Sequence, residues 1–198
     1  MEERNIISYI LERQGQIQGD PIKGRLNQTQ TRTWEIRLSE QDFKTWVQSS
    51  NCNSLYFDGA SKSNPGQAGA GGLIVDEIGD TIFSYEWSLG KRTNNSAEAL
   101  ALYQGLLQLK NLGIRRAMIF GDSSIIIHLM VQNQSSPNTN LQQVIHRNKL
   151  LLQSFEDIQF YHILRNLNKE VDNRVNSACG RPMGILRCNA VDSHQLIP

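Results

Sequence analysis

Asn95-Ser96-Ala97-Glu98-Ala99-Leu100-Ala101-Leu102-Tyr103-Gln104-Gly105-Leu106-Leu107-Gln108-Leu109-Lys110-Asn111-Leu112 is the stretch that decides the fold. Leu102, Leu106 and Leu109 recur at helical spacing, and Gly113 follows the last turn, so it reads as an amphipathic helix closed by a glycine. The chain then enters Ala117-Met118-Ile119-Phe120, a short apolar run typical of a buried strand, which ends at Gly121-Asp122. Upstream, Ser54-Leu55-Tyr56-Phe57 is a strand running into Asp58-Gly59, Ala70 to Val75 a second and Thr81 to Leu89 a third. The turn clusters Ser63-Asn64-Pro65-Gly66 and Asp76-Glu77-Ile78-Gly79-Asp80 separate them, so the three form an antiparallel meander. A helix that leaves a meander and returns to a strand crosses right-handed, which sets strand 117–120 parallel to, and beside, strand 54–58.

Downstream the pattern gives helices over 123–132 and 141–155, a strand over 158–164 and a last helix from Lys169 to Ala178. The expected class is α/β: a five-stranded mixed sheet, made of a three-strand meander plus two parallel strands, with helices on both faces. Residues 1–50 read as an N-terminal arm, partly ordered or linker, because Gln14 to Thr33 is rich in Gln, Gly, Asn and Thr. Within the arm, Trp34-Glu35-Ile36-Arg37-Leu38 alternates like a short strand, and Ser39-Glu40-Gln41-Asp42 caps a helical turn through Trp46. Residues 51–180 form the domain, and 181–198 read as a flexible tail.

Bulk properties narrow the classes. The chain has 198 residues, room for one ordinary domain and some extra. A net charge of +1 removes the strongly basic signature of a non-specific phosphate binder and leaves a local site open. The three cysteines, Cys52, Cys179 and Cys188, are odd in number and widely spaced, which argues against a disulfide framework and a zinc site. No secretory leader and no membrane-length apolar run is visible, so the expected location is intracellular, cytoplasm or nucleus, with no membrane partner.

The chemistry lies in four acids. Asp58 and Asp122 end two strands expected to be parallel neighbours, which puts both carboxylates at the C-terminal lip of the sheet, where open α/β sheets bind ligands. Glu98 lies on the sheet-facing stripe of helix 95–112, one turn before Leu102; a carboxylate there is costly unless something pairs with it. Asp172 stands beside the apolar stripe Val171, Val175 and Ala178 of the last helix. Each acid taken singly has a plainer explanation. Asp58-Gly59 is a turn, Glu98 closes a capping box with Asn95, Asp122 caps the next helix, and Asp172 lies on a solvated face. Taken together they converge on one rim. Their repulsion calls for a divalent cation, and all-oxygen ligands suit Mg²⁺ (or Mn²⁺), with two ions expected when substrate is bound.

Four segments carry a resemblance. They are Phe57-Asp58-Gly59-Ala60-Ser61-Lys62-Ser63-Asn64-Pro65-Gly66, Thr93-Asn94-Asn95-Ser96-Ala97-Glu98, Asp122-Ser123, and His162-Ile163-Leu164-Arg165 with Asn168-Lys169-Glu170-Val171-Asp172. In order and spacing they resemble the ribonuclease H family, of the plant retroelement or reverse-transcriptase-associated type, over about Ser54 to Ala178. The resemblance implies a nuclease that hydrolyses the RNA strand of an RNA–DNA hybrid by a two-metal in-line mechanism, with Asp58, Glu98, Asp122 and Asp172 as metal ligands. It implies that Asn64, Thr93, Asn94, Asn95 and Asn168 bind the substrate, and that Arg165 takes the catalytic place that many members give to a histidine. An alternative for Arg165 is a surface salt bridge, and His162 reads as a core or edge histidine. The sequence departs from bacterial relatives in having no basic helix between the third acid and the last strand, and in carrying Ser124 where many relatives have glutamine.

Two further readings stay open. One is a catalytically weak or inactive module of the same fold that binds nucleic acid or a protein partner, the latter through the N-terminal arm. The other is a sugar kinase or actin-like ATPase, which needs two such domains where this chain has room for one. A monomer is expected.

Overall fold

The computed structural model describes residues 35–36, 38–132 and 136–190. The polar stretch 14–33 and the end of the tail, 191–198, lie outside them. Strands β2 (Asn53–Ser61), β3 (Gly66–Val75) and β4 (Thr81–Arg92) form the antiparallel meander. Helix α2 (Asn94–Asn111) crosses over to β5 (Arg116–Gly121), which pairs parallel to β2 with Phe57 opposite Gly121. Helices α3 (Ser124–Val131) and α4 (Thr139–Leu152) follow, then β6 (Asp157–Ile163), parallel to β5. A single 3-10 turn (Arg165–Leu167) leads into α5 (Lys169–Cys179).

The sheet has seven strands rather than five, in the order β1-β6-β5-β2-β3-β4-β7. The five expected strands are its centre, and the two additional ones are its edges. β1 (Glu35–Ile36), inside the stretch whose alternation reads as a short strand, pairs parallel with β6 through two residues. β7 (Leu186–Ala190) pairs antiparallel with β4 although all five of its residues are exposed. With no buried face it has no alternation to read; ladder hydrogen bonds hold it. Part of the stretch expected to be a flexible tail is therefore a strand.

Helices cover both faces. On one, Leu102, Leu106 and Leu109 of α2 are fully buried in a cluster with Leu55, Ile119 and Ile158. Burial of that kind stabilises by about 1.5–3 kcal/mol per leucine and fixes the helix on the sheet. On the other face, α1 (Glu40–Ser49) sets Phe43 edge-on to Phe120 and Trp46 edge-on to Tyr161, while Val171, Val175 and Cys179 of α5 pack with Leu73. This settles what Trp46 docks on. Ser39 caps α1, accepting from the Asp42 N–H, as its sequence indicates. No helix among the described residues is long and apolar enough to cross a membrane.

Candidate active site

The crossover brings the acids together through backbone register. Phe57 and Gly121 are paired neighbours on β2 and β5, so Asp58 and Asp122, each the next residue, emerge side by side. Glu98 arrives from α2 because the helix start lies directly on β2. A Cβ at position 59 would stand 2.2 Å from the Ala97 carbonyl carbon and the Glu98 nitrogen, so only glycine allows this approach. At 121 a Cβ would sit 2.4 Å from the Phe57 ring, so the second strand also needs its glycine. One carboxylate oxygen from each of Asp58, Glu98 and Asp122 lies within 4.8 Å of the others.

The plainer readings of the acids do not describe this arrangement. Asp58 and Gly59 sit inside β2, opposite Gly71 and Ala70, and not in a turn. The cap of α2 is Thr93, whose Oγ1 accepts from the Ser96 N–H at 3.3 Å and donates to Ser96 Oγ at 2.8 Å. The cap thus begins two residues before Asn95, and Glu98 plays no part in it. The N-cap of α3 is Ser123, not Asp122.

Electrostatics sharpen the picture. Asp58 and Glu98 are 4% and 5% exposed. Burial, followed by the charges of Asp122 and Asp172, pushes the Asp58 carboxyl up to about 7. Burial, with Asp58 and Asp122 beside it, raises Glu98 well above the ordinary carboxylate range. Asp122 is also raised, chiefly by burial. Glu98 Oε2 has no hydrogen-bond partner among the described residues. A buried, unpartnered carboxylate oxygen facing two further acids fits a hard divalent cation and little else.

Asp172 stands outside the group of three. It accepts from Arg165 Nη2 through Oδ1, and from Asn176 Nδ2 through Oδ2 at 3.0 Å. Its charge nevertheless acts on Asp58 and Asp122. Arg165 is 73% exposed, so the salt-bridge alternative is realised in this state, with a carboxylate of the expected tetrad as its partner.

The expected substrate contacts divide. Asn168, expected among the substrate contacts, is only 2% exposed and turned inward. Its Nδ2 donates to the Phe57 carbonyl at 3.0 Å and lies 3.4 Å from Asp122 Oδ1, so it ties the end of β2 to the third acid. The sequence missed this inward role because an asparagine opening a helix reads first as a cap or a surface group. His162 Nε2 lies 3.2 Å from the Asp122 carbonyl oxygen, a second brace on that loop. Asn64 and Asn94 meet: Asn64 Oδ1 accepts from the Asn94 N–H at 3.1 Å, and Asn94 Oδ1 accepts from the Ser61 N–H at 3.2 Å. Their acceptors are used within this cluster, while their amide donors have no partner among the described residues. Asn95 is half-buried beside them, and the Thr93 hydroxyl is committed to capping.

Sequence reading also missed the cations here. Lys62, in the turn after β2, and Lys91 and Arg92, at the end of β4, are exposed beside this asparagine cluster, and none is in an ion pair among the described residues. The signal was their adjacency to Asn64 and Thr93.

A family model described as reverse transcriptase-like matches residues 56–178, the span that carries all four acids. The ribonuclease HI of Halobacterium salinarum is 31% identical over 123 residues, covering 62% of this chain and 62% of that protein. The chain thus spans less than two thirds of that relative's length. The crystal structure of the RNase H1 of the same organism superposes with a TM-score of 0.62 at 30% identity, covering 65% of this chain and 97% of that one. LC11-RNase H1, solved in complex with an RNA/DNA hybrid, gives a TM-score of 0.56 at 29% identity, covering 65% of this chain and 96% of that one. The fold and its acidic lip therefore define a ribonuclease H-like protein. The chain belongs to the ribonuclease H family.

Proposed function

We propose that the chain is a divalent-metal-dependent endonuclease that hydrolyses the RNA strand of RNA–DNA hybrids by in-line displacement. The observation that carries this is the trio of buried Asp58, buried Glu98 and half-buried Asp122, with carboxylate oxygens within 4.8 Å of one another and one Glu98 oxygen without a hydrogen-bond partner among the described residues. Asp58, Glu98, Asp122 and Asp172 would hold two Mg²⁺ or Mn²⁺ ions. Divalent ions held by these carboxylates would supply Lewis-acid activation of the attacking water and charge stabilisation of the leaving oxygen. Asn168 and His162 keep Asp122 oriented, and Gly59 keeps Glu98 against β2. The amide donors of Asn64 and Asn94, which have no partner among the described residues, suit with Asn95 the phosphate oxygens and the 2′-hydroxyls, and the 2′-hydroxyl is the group that separates RNA from DNA. Lys62, Lys91 and Arg92 border the same turns and supply phosphate attraction in place of a basic helix. The hybrid bound by LC11-RNase H1 supports this substrate class.

A binding module without catalysis is the second reading, favoured by the absence of any charged residue in the stretch from Asn133 to Asn140. One gel separates the two. With Mg²⁺ the protein should cut the RNA of a labelled hybrid and spare RNA and DNA duplexes, and Asp122→Asn should not cut. Equal behaviour of wild type and Asp122→Asn rejects the enzyme.

A further inference from the structure

We propose that Arg165 is a built-in cation that competes with one of the two divalent ions, so that the site loads in two unequal steps. This rests on the metallonuclease reading above and adds how its ligands are held before metal arrives. The four acids are not equivalent. Asp58, Glu98 and Asp122 already converge within 4.8 Å, and the buried Glu98 keeps an oxygen with no hydrogen-bond partner among the described residues. That part accepts an ion without breaking any ion pair among the described residues. Asp172 differs, because both its oxygens are taken, one by the Arg165 guanidinium and one by Asn176.

Arg165 is placed for this by the 3-10 turn between β6 and α5. Its carbonyl accepts from the Asn168 N–H at 3.0 Å, and the Leu167 N–H donates to the Leu164 carbonyl at 2.9 Å. The backbone is thus fixed, while the side chain is 73% exposed and free to leave. Its positive charge acts on Asp58, Glu98 and Asp122 as well as on Asp172. A guanidinium there stands where positive charge is wanted, and an ion recruiting Asp172 must displace or repel it. An exposed ion pair changes an equilibrium constant by no more than about fivefold, so the competition delays the weaker ion without blocking it.

The test is a Mn²⁺ titration of the full chain without nucleic acid, with free Mn²⁺ followed by electron paramagnetic resonance. Wild type should bind one ion tightly and one weakly. Arg165→Gln should tighten the weak ion by roughly fivefold and leave the tight one within about twofold. Arg165→Lys keeps the charge and should stay near wild type. Lys169→Gln, which removes an exposed cation four residues on, should change neither ion. A weak site unchanged or weakened in Arg165→Gln overturns the proposal. So does an Arg165→Lys protein that binds as tightly as Arg165→Gln. If wild type binds no Mn²⁺, or Asp122→Asn binds it as wild type does, the metallonuclease reading itself fails and this inference goes with it.

Discussion

Glu86 on β4 and Glu98 on α2 are both acids held in the body of the fold, yet their surroundings are opposite. The Glu86 side chain is 18% exposed and sits between two guanidiniums, accepting from Arg181 and lying 3.9 Å from Arg174. Arg174 also reaches Glu170 at 3.2 Å, so the charges there close into a network. Glu98 is flanked by Asp58 and Asp122, and one of its oxygens has no hydrogen-bond partner among the described residues. A carboxylate kept for structure is neutralised by the chain itself. One kept for chemistry is left for a cation from outside, with fully buried leucines on the same helix offsetting the cost.

The sharpest way to break this comparison is to neutralise each acid in turn. Glu98→Gln should lower hybrid cleavage by about a thousandfold or more, with a melting temperature equal to or above wild type. Glu86→Gln should leave cleavage near wild type and cost about 1–3 kcal/mol, because Arg181 loses its carboxylate and Arg174 keeps only Glu170, a fall of about 3–10 °C. Paired activity assays and thermal melts check both. The contrast fails if Glu98→Gln melts much lower while Glu86→Gln loses activity.

The next largest effect is on stability against pH. The Asp58 carboxyl is raised from 3.8 to about 7 in the folded chain, so the folded state holds its proton more tightly than the unfolded one. In metal-free protein the resulting penalty is absent below the unfolded value, grows as pH climbs towards about 7, and stays constant above it. Glu98 and Asp122 act in the same direction. In EDTA at pH 8, Asp58→Asn should therefore be the more stable protein by about 1–3 kcal/mol, and at pH 4 the two melts should nearly coincide. A variant less stable than wild type at pH 8 would show that the Asp58 charge is compensated within the fold.

How far this could be read beforehand depends on which physics wrote the signal. The stripe Leu102, Leu106 and Leu109 and the apolar run 117–120 report burial, and burial has a period, so the crossover and the lip where Asp58 and Asp122 meet were legible. Glu98 stood out as a charge on that stripe. β7 was not legible, because a strand with every side chain exposed leaves no pattern. The inward turn of Asn168 was hidden too. Its partners, the Phe57 carbonyl and Asp122, lie 111 and 46 residues away along the chain. The cap of α2 was misplaced because the pattern Asn95-x-x-Glu98 reads as a capping box, whereas the helix begins at Asn94 and Thr93 accepts from the Ser96 N–H.

The smallest effect extends the comparison to positive charge. Arg174 and Arg181 face Glu86, whereas Lys62, Lys91 and Arg92 face no acid among the described residues. If an unmatched acid awaits a cation, an unmatched cation at the same lip awaits an anion, and the phosphate backbone is the anion this site would meet. Replacing all three by glutamine should raise KM for the hybrid by about threefold to tenfold with kcat nearly unchanged. It should also flatten the dependence of log KM on log salt by about one for each cation that touches a phosphate. Lys110→Gln, at the far end of α2, should move neither quantity. An unaltered salt slope in the triple variant would mean that these cations are surface charge only, and that the hybrid is gripped elsewhere along the lip.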